Sequence, residues 1–305
     1  MKNLWDYLQE RFPPQVNGVL ILSYFTANYL LARGAVWPGE RLALSWRFPA
    51  GCVVLLLMFF HLRVVDEHKD YAQDLVVHPG RILSRGLVTL AQLRRLGAIA
   101  VAVELVLTIA LGLPAFTACL IILGLSWLIY REFYLGRWLH RHLLANAFVH
   151  LLIMPAYGLF AFAVATDRYP WAAPGIILLY AWVSYGVGFA YELARKTRAP
   201  QDERPGLITY SRAIGPYLSA WAILVALLFS GGLSALVGRA LNFGTWFHGA
   251  VAGLLVVVAL GVLHFRLRTA TATAARLQVY AGLFIFAFDG LVAAELIRLY
   301  GLTWT

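Results

Sequence analysis

The sequence predicts an all-α fold: a polytopic membrane bundle of about nine transmembrane helices with cytoplasmic cap loops. Three observations lead there. Hydrophobic residues make up 61% of the 305-residue chain and charged residues 13%, against roughly 45–50% and 25% in soluble domains. The mean hydropathy is +0.72, and apolar runs near the ~20 residues that cross a bilayer recur along the chain. So much apolar surface exceeds what a water-facing core can bury. The only two cysteines, Cys52 and Cys119, both lie in apolar runs, which excludes a disulfide scaffold.

In chain order, residues 1–16 are polar and carry Asp6 and Glu10. No cleavable signal peptide is expected there. The spacing of Leu4, Leu8 and Phe12 instead predicts a short helix lying on the cytoplasmic interface. Residues 17–305 form one transmembrane domain, with apolar runs at about 17–32, 48–64, 96–113, 115–131, 142–165, 172–193, 213–237, 245–265 and 278–299. The shortest connections fall at Pro114 and between Asp167 and Trp171. Nine crossings put the termini on opposite sides, and 19 of the 25 lysines and arginines then share a side with the N-terminus. By the positive-inside rule that side is cytoplasmic. The asymmetry accounts for the net charge of +10 without a nucleic-acid partner. A multi-pass protein of the bacterial inner (plasma) membrane, in contact with membrane lipids, is expected.

Outer connections are short, whereas the cytoplasmic segments at about 65–95 and 194–212 are long and densely charged, and such loops carry function. In the first, Asp66, Asp70 and Asp74 recur at i, i+4 and i+8, so they share one face if the preceding helix continues. Stacked carboxylates repel, and a hard cation relieves them. Mg²⁺ prefers such oxygens and shares its remaining positions with phosphates. The alternative is a solvated helix end paired with Lys69 and Arg63. Arg63, Lys69, Arg81 and Arg85 surround the triplet, and Arg195, Lys196 and Arg198 flank a second acidic cluster, Glu192, Asp202 and Glu203. Bases of this kind suit a diphosphate. For Arg94, Arg95, Arg266 and Arg268 a role in setting topology is preferred.

Taken together these residues resemble the UbiA superfamily of intramembrane prenyltransferases. The first acidic motif of that family matches Asp66-Glu67-x-x-Asp70-x-x-x-Asp74, followed by His78-Pro79-Gly80-Arg81 and Arg85-Gly86. Downstream, Gly206-x-x-Thr209-Tyr210-Ser211-x-x-x-Gly215 matches the stretch after the second motif. The second motif itself departs from the family's D-x-x-x-D. Either Asp202 is preceded by Arg198, or Glu192 is followed by Lys196, so one carboxylate is replaced by a base. The resemblance implies Mg²⁺ held by Asp66, Asp70, Asp74, Glu192 and Asp202, with one fewer or weaker ion because of that change. It implies an isoprenyl diphosphate bound by Arg63, Lys69, Arg81, Arg85, Lys196 and Arg198. Asp66, Asp70, Asp74, Lys69 and Tyr191 would take part in ionising it, before transfer to an aromatic or lipid acceptor.

Aromatic faces can stabilise a carbocation. Tyr130, Phe133, Tyr134, Trp182, Tyr185, Phe189 and Tyr191 lie near the expected mouth, although belt or core packing suits each of them better. Glu104, Asp289 and Glu295 fall within helices, where an ionisable group is costly. Glu295 is placed to pair with Arg298. Asn146 and His150, at i and i+4, face one direction and can line a cavity or bond between helices. His140 and His142 read as a basic interfacial edge, since no Cys or carboxylate is spaced to join them in a metal site. The absence of G-x-x-x-x-G-K-[ST] and G-x-S-x-G motifs removes support for NTP-driven pumping and serine hydrolysis. Besides prenyl transfer, the altered second motif keeps open a terpene cyclase working by the same ionisation. A transporter, the third class, would place polarity in broken mid-bilayer helices.

Overall fold

Prolines and glycines set most of the helix boundaries. In the computed structural model, which describes residues 2–305, α1 (Lys2–Arg11) stops before Pro13. Helix α2 (Pro14–Val36) then opens on a proline, whose missing N–H is an unpaired position at any helix start. A short strand, β1 (Leu42–Leu44), leads into α3 (Arg47–Val77). Helix α4 (Leu90–Leu111) is started by a capping box in which Thr89 accepts from the Gln92 N–H and Gln92 returns the bond. Gly112, at φ +108°, turns the chain directly into α5 (Leu113–Tyr130).

Next come α6 (Gly136–Arg141), α7 (Leu143–His150), α8 (Ile153–Thr166), α9 (Gly175–Arg195), α10 (Tyr210–Ile214), α11 (Pro216–Ala240), α12 (Thr245–Leu267) and α13 (Thr271–Tyr300). The chain ends in β2 (Leu302–Trp304), which pairs in parallel with β1 from Leu42 opposite Leu302 to Leu44 opposite Trp304. Among the described residues eight segments are long and apolar enough to cross a membrane: α2, α3, α5, α7 with α8, α9, α11, α12 and α13. Helix α4 holds the remaining predicted run, 96–113. It spans 22 residues, but carries Arg94, Arg95 and Glu104. The protein is an integral multi-pass membrane protein.

Two elements differ from the sequence expectation. The expected loop at 65–95 is helical as far as Val77, because no breaker precedes Pro79-Gly80, so the loop proper begins at His78. At 31 residues α3 is about 46 Å long, well beyond the ~30 Å hydrocarbon core, and its last turns stand clear of the bilayer. The run at 142–165 is not one helix but two, α7 and α8, meeting at Leu151–Leu152. Pro155 supplies the reason: it has no N–H to donate to the Leu151 carbonyl.

The bundle packs through small residues and buried rings. Phe25, Tyr157, Phe160, Phe162 and Phe284 are fully enclosed. Gly51 on α3 lets that helix approach α2 and α8. A Cβ there would sit 2.5 Å from Phe25 Cζ and 2.8 Å from Val164 Cγ1. Gly51→Leu is therefore expected to destabilise the protein by about 1–3 kcal/mol through overpacking, read as a lower melting temperature in detergent.

The intramembrane acids are all partnered. Glu104 accepts from His61 Nδ1 at 2.7 Å, and His61 Nε2 meets Ser126 Oγ at 2.9 Å, tying α3, α4 and α5 together. The phenol of Tyr180 donates to Asp289 at 3.2 Å. Glu295 pairs with Arg298 at 2.7 Å, the partner expected for it, and also accepts from the Gly244 N–H.

Candidate active site

The projecting end of α3 forms one wall of a cavity of about 500 Å³ at the mouth of the bundle. Helical spacing turns Asp66, Asp70 and Asp74 towards it together with Arg63 and Lys69. The opposite wall comes from the end of α9, with Glu192 and Arg195, and from Lys196 and Arg198 just beyond it. His78 and Arg81 follow α3, and Arg11 reaches in from α1. Below this polar rim the lining turns apolar, through Phe59, Leu62, Ile129, Ala147, Leu151, Ile153, Met154 and Tyr157.

The acids differ in what they hold. Asp74 is engaged by Arg81 and, at 3.5 Å, by Arg11. Glu192 is engaged by Arg195 at 2.6 Å and by Lys196 at 2.8 Å. Among the described residues Asp66 has only Lys69, at 4.0 Å, and no hydrogen bond reaches the Asp70 carboxylate. Of the five lining carboxylates, Asp74 and Glu192 are paired with bases and Glu132 meets His140, which leaves Asp66 and Asp70, one helical turn apart on α3, the most available. Among the described residues no three His, Cys, Asp or Glu side chains are already gathered as a metal nest.

Three residues expected at the site lie off the cavity. Asp202 sits in the single 3₁₀ turn Pro200–Asp202, and its carboxylate accepts from Thr271 Oγ1 at 2.9 Å, which ties it to the start of α13. Tyr191 precedes Glu192 on α9, and successive helical side chains point about 100° apart. Its phenol oxygen instead takes the Gln278 Nε2–H at 3.4 Å, against the core. Arg85 lies one turn beyond Arg81 and is exposed. The other flagged aromatics do not line the cavity either. Tyr130, Tyr134 and Trp182 are exposed on the bundle surface, and the rings in the lining are Phe59, Tyr157 and Tyr210.

Several residues at the site were given no role by sequence. The most consequential pair is Arg11, which lines the cavity, with Glu67, which does not. Glu67 is 2% exposed and accepts from Arg11 Nε at 2.6 Å and from Arg63 Nε and Nη2 at 3.1 and 2.9 Å. It is the second acidic position of the motif, and it clamps two guanidiniums behind the rim instead of facing the cavity. Nothing in the spacing of a lone Arg on a terminal helix signals this. His140 meets Glu132 at 3.2 Å, and both line the cavity. Glu132 begins a run of three non-glycine residues at positive φ, Glu132, Phe133 and Tyr134, a strained turn of the kind held only by its surroundings.

The loop 203–211 closes the far side. Gly206, at φ +84°, permits its turn, and the Glu203 carboxylate accepts from the hydroxyls of Thr209 and Ser211. The same Ser211 oxygen accepts from the Arg198 N–H at 2.8 Å. Burial, and next the neighbouring Arg81, hold the His78 imidazole below its ordinary value, so it is neutral at pH 7. Burial and then Glu192 push the Tyr210 phenol upward and keep it protonated.

A bundle of this kind, with a polar rim over an apolar chamber at one end, is an architecture with solved counterparts. The fold is shared with solved UbiA homologues. A structure described for digeranylgeranylglyceryl phosphate synthase in membranes matches at TM-score 0.65 and 15% identity, over 98% of this chain and all of that one. A UbiA homologue from Aeropyrum pernix K1 matches at TM-score 0.68 and 15% identity, over 92% and 97% of the two chains. One from Archaeoglobus fulgidus, bound to GPP and Mg²⁺, matches at TM-score 0.53 and 14% identity, over 94% and 99%. No protein-family model and no curated protein matches the sequence.

Proposed function

We propose that this protein is a Mg²⁺-dependent intramembrane prenyltransferase, which ionises an isoprenyl diphosphate and passes the prenyl group to an acceptor. The observation that carries the reading is the two-ended cavity. Seven lysine and arginine side chains and five carboxylates crowd its rim, while its depth is apolar. An amphiphile with a charged head and a hydrocarbon tail is complementary to both ends. The Archaeoglobus homologue holds GPP and Mg²⁺ on the same fold, which supports this choice.

The donor set fits Mg²⁺. Asp66 and Asp70 offer hard oxygens one turn apart with no strong competing cation, and Mg²⁺ commonly takes one or two carboxylates plus phosphate oxygens. When bound it would neutralise charge on the departing diphosphate. Arg63, Lys69, Arg81, Lys196, Arg198 and Arg11 would hold diphosphate oxygens directly, with Asp74 and Glu192 orienting some of these bases rather than binding metal. The apolar walls, Tyr157 among them, would keep water from the allylic cation until the acceptor meets it. The excess of basic residues at this end argues for a cytoplasmic mouth.

Purified protein with Mg²⁺ and C10–C20 isoprenyl diphosphates should release diphosphate, and no release at any chain length would refute the enzyme reading. Mass spectrometry of the products separates transfer from cyclisation, since a cyclase would yield a hydrocarbon with no acceptor present. Arg11→Ala, which loses a charged contact at the rim, should raise KM for the diphosphate about tenfold. An unchanged KM would remove α1 from the binding site.

A further inference from the structure

The mechanism above leaves one wall of the cavity unused. On α7, Asn146 and His150 lie one turn apart and both line the chamber. The His150 ring is fixed in orientation: Nδ1 lies 2.8 Å from the Asn146 carbonyl oxygen, and Phe133 packs edge-on against the ring at 5.9 Å. A carbonyl only accepts, so Nδ1 carries the proton and Nε2 carries the lone pair. That lone pair meets Lys69 Nζ at 3.3 Å, on the α3 face that holds Asp66 and Asp70. One turn away Asn146 Oδ1 is buried with no hydrogen-bond partner among the described residues. A buried acceptor without a donor is costly, so the chamber presents two acceptors at the same edge, one unfilled and one covered by the Lys69 ammonium.

We infer that this edge is the acceptor subsite, that it takes a hydroxyl-bearing substrate, and that His150 is the general base of the transfer. The inference rests on the proposed prenyl-transfer reading and deepens it. Transfer to a hydroxyl must dispose of one proton, and the carboxylate of the altered second motif is unsuited to that, since Glu192 is held by Arg195 and Lys196. Lys69 is within reach of the diphosphate position, and its move to a phosphate oxygen uncovers Nε2 as the donor substrate binds. The acceptor hydroxyl then donates to His150 Nε2, while Asn146 Oδ1 receives a second donor on the same molecule. The bond between prenyl C1 and the bridging diphosphate oxygen breaks, with its electron pair leaving on diphosphate. A new bond forms from the acceptor oxygen to C1, and the hydroxyl proton passes to Nε2. The product is a prenyl ether.

The test supplies full-length protein with Mg²⁺, C10–C20 isoprenyl diphosphates and either hexadecylglycerol or hydroquinone, so that an aliphatic and a phenolic hydroxyl are compared. Diphosphate and ether are measured in the same reaction. Wild type should form ether in at least one arm, at about one diphosphate released per ether. His150→Gln should lower kcat for ether formation about 100-fold while KM for the diphosphate holds, so that released diphosphate exceeds ether more than tenfold. Asn146→Leu should raise KM for the hydroxyl acceptor about tenfold. Ether formation by His150→Gln at the wild-type rate would overturn the inference. So would a parallel rise in KM for the diphosphate, which would make His150 a diphosphate ligand. Release of diphosphate by wild type without ether in either arm would reject the hydroxyl class. No release by wild type would instead sink the underlying reading.

Discussion

Asp70→Asn is expected to cut diphosphate release by about 10²–10³-fold, the scale seen when one preorganised electrostatic group is removed from a site where charge develops. The amide preserves the shape of the side chain and removes its charge. Two of the other rim carboxylates are already spent on bases. Asp74 is committed to Arg81 and Arg11, and Glu192 to Arg195 and Lys196. Asp66, one turn away, remains as the other available ligand, so residual activity should require more Mg²⁺. Diphosphate release across a Mg²⁺ titration reads both effects, and the melting temperature guards against misfolding. A variant that releases diphosphate at the wild-type rate would show that Asp70 holds no essential metal. By the same reasoning Asp202→Asn should cost little, because its carboxylate serves Thr271 rather than the cavity.

Glu67→Leu is expected to cause the largest loss of stability at the site, about 3–5 kcal/mol, because breaking a buried ion pair strands the surviving charges. Glu67 alone stands between Arg11 and Arg63, accepting from both. Its removal leaves the Arg11 and Arg63 guanidiniums without their shared carboxylate and takes from α1 its shortest polar tie to α3. Thermal unfolding in detergent measures the cost. Arg11→Ala in the Glu67→Leu background should then cost less than it does in wild type, since one stranded charge has gone. Equal costs in the two backgrounds would show that Arg11 and Glu67 are not coupled.

The acids of α3 illustrate how much was legible beforehand. The spacing of Asp66, Asp70 and Asp74 implies a shared face only if the helix continues, and the lack of any breaker before Pro79 makes it continue. The same local logic placed Glu192 at the end of α9, with Lys196 just beyond it. It failed for Asp202. A separation of a few residues fixes direction inside a helix, whereas in a turn the side chain follows whatever neighbour folds against it. For Asp202 that neighbour is Thr271, 69 residues away. Tyr191 shows the converse case. It lies on a helix beside a cavity-lining residue, and only the rotation of α9 against α13 decides that Glu192 lines the chamber while Tyr191 stays outside the lining, bonded to the lining residue Gln278.

Composition and periodicity by themselves determined that this chain enters a membrane, roughly where its apolar helices lie, and which acids share a helical face. Those properties depend on transfer of residues from water to lipid and on hydrogen bonds within a helix, both of which are local to a segment. The tertiary structure alone decided which carboxylates are spent on arginines and which stay available, that Arg11 on α1 reaches the rim, and that α7 turns His150 towards Lys69. These are pairings between segments far apart in the chain, and they depend on the packing of whole helices against one another, which a linear pattern does not encode.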